Sequence, residues 1–264
     1  MPVSHSPNKS LGQHWLNDAD SLNQIASNAE ITSTDLVLEV GPGLGSLTEV
    51  LSSRAQEVWA IELDPDLINH LEIKFKNTNV QVLPGDILKY NLNDIKAPYK
   101  IVANLPYYLT SHFIQIISES DNPPTIATLL IQKEVAERIA AEPGKKSLLS
   151  VTAQYYWEAN LSEVIKANLF TPPPKVDSQI IKLTRKQTLL LDPDETKLYF
   201  RIVKAGFSQK RKTLLNSLSA GLKLDRDQTA KLLADAQIDQ NYRAQKLSLE
   251  LWLKLYQAYK NLTS

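Results

Sequence analysis

From residue 36 to residue 141, short apolar runs alternate with amphipathic stretches, and this rhythm restricts the fold more than any other feature of the chain. Residues 36–40 read as a buried strand and 44–54 as a helix. The pattern repeats with strands at 58–63, 80–84, 100–103 and 126–131, and helices at 64–75, 111–118 and 133–141. A strand that reaches its neighbour through a helix runs parallel to it, and a parallel sheet needs helices on both faces. The expected fold class is therefore α/β, with a doubly wound, Rossmann-like sheet.

The pattern changes past residue 160. Residues 161–169 and 178–184 read as strands joined by the short Phe170–Pro174 stretch, which implies an antiparallel pair at the end of the sheet. Strand signals stop after Arg185. Helices are expected over 192–206, 210–218, 226–236 and 247–261, the first with Asp192 as N-cap and Pro193 at the first helical position. A boundary near residue 187 divides a sheet domain, 1–187, from a small all-α domain, 188–264. Residues 1–174 carry 12 Lys+Arg against 20 Asp+Glu, net −8, and residues 175–264 carry 17 against 9, net +8. That asymmetry fits a C-terminal region facing phosphate, or helices with solvated lysine-bearing faces.

Several chemistries are excluded or unsupported. Without cysteine there is no disulfide, thiolate metal site, iron–sulfur cluster or cysteine nucleophile. The four histidines, His5, His14, His70 and His112, never fall at helical ligand spacing, so no metal is expected. The polar N-terminus does not read as a secretory signal, and no apolar run approaches the ~18 residues of a membrane span. A cytoplasmic protein without a membrane partner is expected.

Three successive strand ends carry ligand-type residues. The first runs into Gly41-Pro42-Gly43-Leu44-Gly45, a turn that lets backbone approach a ligand closely, although a tight strand-to-helix turn needs the same glycines. The second ends at Glu62, about 20 residues on, where a carboxylate can accept both hydroxyl hydrogens of a ribose. Asp64 and Pro65 already supply the next helix start, which leaves Glu62 for a ligand. The third leads into Gly85-Asp86-Ile87, where Asp86 can accept from an adenine amino group or simply make an Asx turn. Open α/β sheets bind ligands at this edge.

The fourth strand ends in Asn104-Leu105-Pro106-Tyr107. Adenine N6 is a poor nucleophile because its lone pair is delocalised into the ring. The side-chain oxygen of Asn104 and the Leu105 carbonyl can accept from both N–H groups and localise that pair, with Pro106 fixing the turn. Tyr107 offers a face for the base. These residues point to amine methylation by an adenosine-containing cofactor.

At this point the chain resembles a known family, the ribosomal RNA adenine N6,N6-dimethyltransferases of the small-subunit (16S) type. The resemblance runs from Lys9–Asp18 (KSLGQHWLND) through Glu39–Gly43, Glu62–Asp64, Gly85-Asp86 and Asn104–Tyr107. Phe170–Ser178 (FTPPPKVDS) and Phe207–Ser217 (FSQKRKTLLNS) complete it. It implies a methyltransferase sheet using S-adenosylmethionine, a ribosomal RNA substrate within a small-subunit precursor, and a monomer. It implies that His14 and Leu16 close over the cofactor and that Gly41, Glu62, Asp86 and Asn104 line its site. It further implies that Tyr107 and Phe170 sandwich the target adenine. The family usually has Asn-Phe where this chain has His14-Trp15. Without the resemblance, His14 reads as a solvated loop histidine and Phe170 as a core aromatic. Lys210, Arg211 and Lys212, at the start of an expected helix, are the candidate RNA contacts; the ordinary reading is a solvated helix start.

Three other readings compete. A large-subunit RNA methyltransferase of the antibiotic-resistance type more often carries Ile where this chain has Leu105. A nicotinamide-dependent dehydrogenase would use G-x-G-x-x-G, which is missing here. A non-enzymatic assembly factor would not need Glu62, Asp86 and Asn104 intact.

Overall fold

The alternating runs build one seven-stranded sheet. The computed structural model of the protein describes residues 7–8, 11–95 and 98–263; His5, and Lys9 and Ser10 of the opening motif, lie outside them. In chain order the elements are β1 (Trp15–Leu16), α1 (Ala19–Asn28), β2 (Leu36–Val40), α2 (Ser46–Ser52), β3 (Glu57–Glu62), α3 (Pro65–Lys74), β4 (Val80–Pro84), β5 (Lys100–Asn104), α4 (Thr110–Glu119), β6 (Ile126–Gln132), α5 (Lys133–Ile139), α6 (Leu148–Tyr156), β7 (Trp157–Ile165), β8 (Phe170–Thr171), β9 (Ser178–Arg185), α7 (Pro193–Phe207), α8 (Leu214–Leu222), α9 (Arg226–Asp235) and α10 (Leu249–Thr263).

The sheet order is β4-β3-β2-β5-β6-β9-β7. Strands β2 to β6 are parallel; β9 runs antiparallel to both β6 and β7. The central strands are mainly apolar because both faces are covered. Val37, Leu38, Ile101, Val102, Leu129 and Leu130 are fully buried. The chain winds one way from β2 to β4 and the other way from β5 to β6, so the order reverses between β2 and β5. A crevice at the carboxyl ends of the strands is expected at such a reversal.

The expected antiparallel pair exists, with two corrections. Its first strand begins at Trp157 rather than residue 161, because Trp157 is buried and pairs with Arg185. Residues 167–169 form a 3-10 turn, and Phe170–Thr171 leaves the sheet to pair with Trp15–Leu16. That second partner comes from the opposite end of the sequence, so no local pattern reports it.

Two compact units result. One comprises the chain up to Glu137 together with Trp157–Arg185; the other comprises Arg138–Tyr156 and the chain from Lys186 onward. The expected division at residue 187 did not include the excursion through α6, whose polar residues Ser150, Thr152 and Gln154 fall at alternate positions and so give no helical period. Counted over these units the charge balance is unchanged: the second holds 17 Lys+Arg and 9 Asp+Glu, net +8, and the first holds 12 and 20, net −8.

The second unit is helical. Helix α7 starts with a capping box between Asp192 and Glu195, with Pro193 in the first turn as expected. Tyr155 of α6 stacks on Tyr199 of α7 with centroids 5.0 Å apart, and Trp252 of α10 is fully buried. Gly206 is required where Trp252 crosses: a Cβ there would sit 2.4 Å from the indole.

Candidate active site

The reversal between β2 and β5 opens into a cleft. His14, Leu16, Gly41, Glu62, Asp86, Asn104, Leu105, Pro106, Tyr107 and Phe170 all line it. Residues spread over more than 150 positions are thus brought to one sheet edge, within the first compact unit.

The glycine loop forms one wall. Gly45, at φ +79°, precedes α2, and a Cβ there would lie 2.7 Å from the Phe75 ring. Gly41 and Gly85 differ, because a Cβ on either would meet nothing within 4 Å. The space above those two backbones is open, which is the room a ligand needs against a glycine turn.

Three carboxylates border this space. Glu62 is not left over as expected. Its Oε1 accepts from the Leu63 and Asp64 N–H groups at 2.8 and 2.9 Å, and its Oε2 accepts from Gly43 N–H at 3.2 Å. Burial raises its pKa, and those three donors oppose the shift. A carboxylate has about four acceptor positions, so one on Oε2 remains for a ligand hydroxyl. Asp64 caps α3 as expected, accepting from Asp66 N–H. Asp86 makes the Asx turn, accepting from Leu88 N–H at 3.0 Å. Glu39, which carried no assigned role, lies fully buried on the cleft wall. Burial pushes its pKa up to about 8, so its carboxyl holds a proton at neutral pH. Its Oε2 has no partner among the described residues.

The Asn104–Tyr107 turn forms the opposite wall. Leu105 N–H donates to Leu130 carbonyl at 3.2 Å and Leu109 N–H closes on Pro106 carbonyl at 3.0 Å, which fixes the backbone. Asn104 Nδ2 donates to the His14 carbonyl at 3.2 Å, which sets the orientation of its amide. No described N–H is directed at the Leu105 carbonyl. The Tyr107 hydroxyl meets Ser178 Oγ at 3.1 Å, and burial raises its pKa.

The N-terminal segment lies across both walls. Gln13 Nε2 donates to Asp64 Oδ2 at 2.9 Å, and Ser46 Oγ donates to Asn17 Oδ1 at 3.0 Å. The Trp15 ring covers Gly43, where a Cβ would meet its Cδ1 at 3.2 Å, and the buried Trp15 Nε1 has no partner among the described residues. β1 pairs with β8 in the register Trp15↔Thr171 and Leu16↔Phe170. Gln13, Trp15 and Asn17 were missed from sequence; only their place within a recognised motif hinted at a role.

Tyr107 and Phe170 both line the cleft. The ring partner of Tyr107 is His14, with centroids 5.9 Å apart and planes inclined by 25°. Phe170 is buried and packs in a core cluster with Leu16, Ile165 and Ile180 while still lining the cleft. Its two-residue strand holds it against β1, which explains the burial. His14 is half-buried and is not the solvated histidine of the ordinary reading.

Lys210, Arg211 and Lys212 belong to the helical unit and are exposed, but they do not start a helix. They form a turn, and α8 begins at Leu214 after Thr213. The first N–H groups of α8 are already used, Leu214 on Tyr242 carbonyl at 2.7 Å and Leu215 on Gln240 carbonyl at 3.3 Å. Among the described residues no group of three or more His, Asp or Glu can hold a metal, and no helix is long and apolar enough to cross a membrane.

Comparison with known proteins agrees with this geometry. A family model described as ribosomal RNA adenine dimethylase matches residues 4–261. Ribosomal RNA small subunit methyltransferase A of Dehalococcoides mccartyi is 42% identical over 255 residues, 95% of this chain and 88% of that protein. Among solved structures, a dimethyladenosine transferase from Plasmodium falciparum superposes with a TM-score of 0.78 at 26% identity, over 94% of this chain and 98% of that one. The 23S rRNA methyltransferase ErmE gives 0.76 at 29% identity, over 93% and 99%. A family match over nearly the whole chain, joined to an Asn104–Tyr107 turn facing a glycine loop across one cleft, means that the chain belongs to the ribosomal RNA adenine dimethylase family.

Proposed function

We propose that this enzyme transfers methyl groups from S-adenosylmethionine to N6 of two adjacent adenosines in small-subunit ribosomal RNA, giving N6,N6-dimethyladenosine. The observation that carries the reading is the convergence of the Asn104 amide and the unengaged Leu105 carbonyl on the cleft that also holds Glu62 and Asp86. When bound, the cofactor supplies an electrophilic methyl group on a sulfonium sulfur. Open space above Gly41 and Gly85, the remaining acceptor position of Glu62 and the Asp86 carboxylate fit an adenosine moiety. Gly41, Glu62, Asp86 and Asn104 line that site, and the segment carrying His14 and Leu16 covers it.

The protein's own contribution is placement. Asn104 Oδ1 and the Leu105 carbonyl accept from the two N–H groups of the target amine, which draws its lone pair out of the ring and aims it. Pro106 holds the turn, and Tyr107 with Phe170 receives the flipped base. No covalent intermediate is required, and orientation supplies most of the rate enhancement. The proton lost from N6 leaves to water. After one transfer one N–H remains for one of the two acceptors, so a second transfer follows on the same nitrogen. Lys210, Arg211 and Lys212 in the +8 helical unit contact RNA phosphates. The enzyme acts as a cytoplasmic monomer on a small-subunit precursor.

Mass analysis of both ribosomal RNAs from cells lacking the protein tests this. Loss of dimethyladenosine from small-subunit RNA supports it. Loss from large-subunit RNA instead would favour the activity named for ErmE.

A further inference from the structure

The side chain of His14 makes contacts that this reading leaves unused. Its Nδ1 lies 2.7 Å from the Pro172 carbonyl oxygen. A carbonyl only accepts, so Nδ1 carries the proton and donates it. Its ring lies on Tyr107 in an offset stack, 5.9 Å between centroids. Tyr107 follows β5 and Pro172 follows β8, so one imidazole touches both segments that carry the base-receiving aromatics. The hydroxyl of Tyr107 is tied to Ser178 at 3.1 Å, and the His14 ring restrains one face of the same ring. The cofactor-side carboxylates have other partners: Glu62 takes Gly43, Leu63 and Asp64, and Asp86 takes Leu88. Only the backbone carbonyl of residue 14 serves Asn104.

We propose that the His14 imidazole is a positioning residue of the target-base pocket, holding Tyr107 and the Phe170–Pro172 segment at the spacing that receives one flipped adenine. This rests on the N6-methylation reading above. A ring fixed before RNA arrives loses less freedom when the base stacks, so the effect belongs to RNA recognition rather than to cofactor binding.

Two variants separate the contacts. His14→Asn keeps an N–H donor for Pro172 but has no ring; His14→Phe keeps a ring but has no donor. In the full-length enzyme acting on unmethylated small-subunit RNA, His14→Asn is expected to raise KM for RNA about three- to tenfold, the range of one aromatic pair, with a smaller change in kcat. Cofactor Kd, measured by calorimetry without RNA, should change by a smaller factor than KM for RNA, since the ring makes no hydrogen bond to Glu62, Asp86 or Asn104. His14→Phe should return KM most of the way to the wild-type value. An unchanged KM in His14→Asn, an equal loss of cofactor affinity, or a His14→Phe variant no better than His14→Asn overturns the assignment. If the wild-type enzyme itself fails to methylate N6, the underlying reading falls and this proposal with it.

Discussion

Replacing Asn104 by Ala tests the placement mechanism most directly, and the structure allows its separate effects to be sized. The substitution removes the side-chain oxygen that would accept from the target amine. It also removes the 3.2 Å hydrogen bond from Nδ2 to the His14 carbonyl. The second loss is a partly buried neutral hydrogen bond, which lowers stability by about 1 kcal/mol. The first acts only as charge develops on the amine. Removing one preorganised group of this kind costs about 3–4 kcal/mol of transition-state stabilisation, or roughly 10²–10³ in kcat. RNA affinity should barely move, because Asn104 contacts one amine of a large substrate. The assay is single-turnover transfer of labelled methyl to unmethylated small-subunit RNA, beside thermal unfolding and filter binding. A variant that unfolds only slightly earlier and binds RNA normally should transfer at least about a hundredfold more slowly. Turnover within a few-fold of wild type would refute the acceptor role. A parallel collapse of RNA binding would show that Asn104 supports the pocket rather than the reaction.

Three further outcomes follow from the geometry. Glu62→Gln keeps the shape that meets Gly43, Leu63 and Asp64 but loses the charge. Calorimetry should show cofactor Kd raised about ten- to a hundredfold, the worth of one charge-assisted hydrogen bond, and an unchanged Kd would remove Glu62 from the cofactor site. Glu39 keeps its proton in the folded state up to about pH 8, whereas the unfolded chain releases it near the ordinary value of 4.5, so wild-type stability falls as pH rises between these values. Glu39→Gln removes that dependence; in urea unfolding its advantage should be absent at pH 4 and reach a few kcal/mol by pH 8, and parallel curves would disprove the buried neutral carboxyl. Changing Lys210, Arg211 and Lys212 together to Ala should weaken RNA binding and flatten the slope of log K against log salt by a little under ~1 per lost contact, with cofactor affinity intact; an unchanged slope would make the turn a solvated surface only.

What the sequence disclosed was whatever short-range chemistry determines. β2 and β4 fall on the expected residues because an apolar run ended by glycine, or by Pro84-Gly85, has few other solutions. Glu62, Asp86 and Asn104 were legible because a parallel sheet places the carboxyl ends of its strands at the same edge. The order β4-β3-β2-β5-β6-β9-β7 puts those ends around one reversal. The state of each group was not legible. The three N–H donors on Glu62 come from the loop and the helix start, and the pKa of Glu39 depends on enclosure by elements distant in sequence. The three basic residues were identifiable as a cluster, but the start of α8 four residues later depends on Tyr242 and Gln240 accepting its first N–H groups.

The features that escaped sequence reading share one cause, and it bears on the site. Strands β1 and β8 have two residues each, too short for any periodicity, and each is extended only because the other pairs with it. That pairing brings His14 to Tyr107 and Pro172, seats Trp15 on Gly43 and buries Phe170. A motif near residue 14 and another near residue 170 therefore act as one structural element, although neither predicts the other by pattern. Their joint fixation explains how a histidine that reads as a solvated loop residue is held half-buried against an aromatic ring. It also explains why Phe170, a core aromatic by every local criterion, lines the cleft as well: the strand that buries one edge of its segment also presents it to the open cleft.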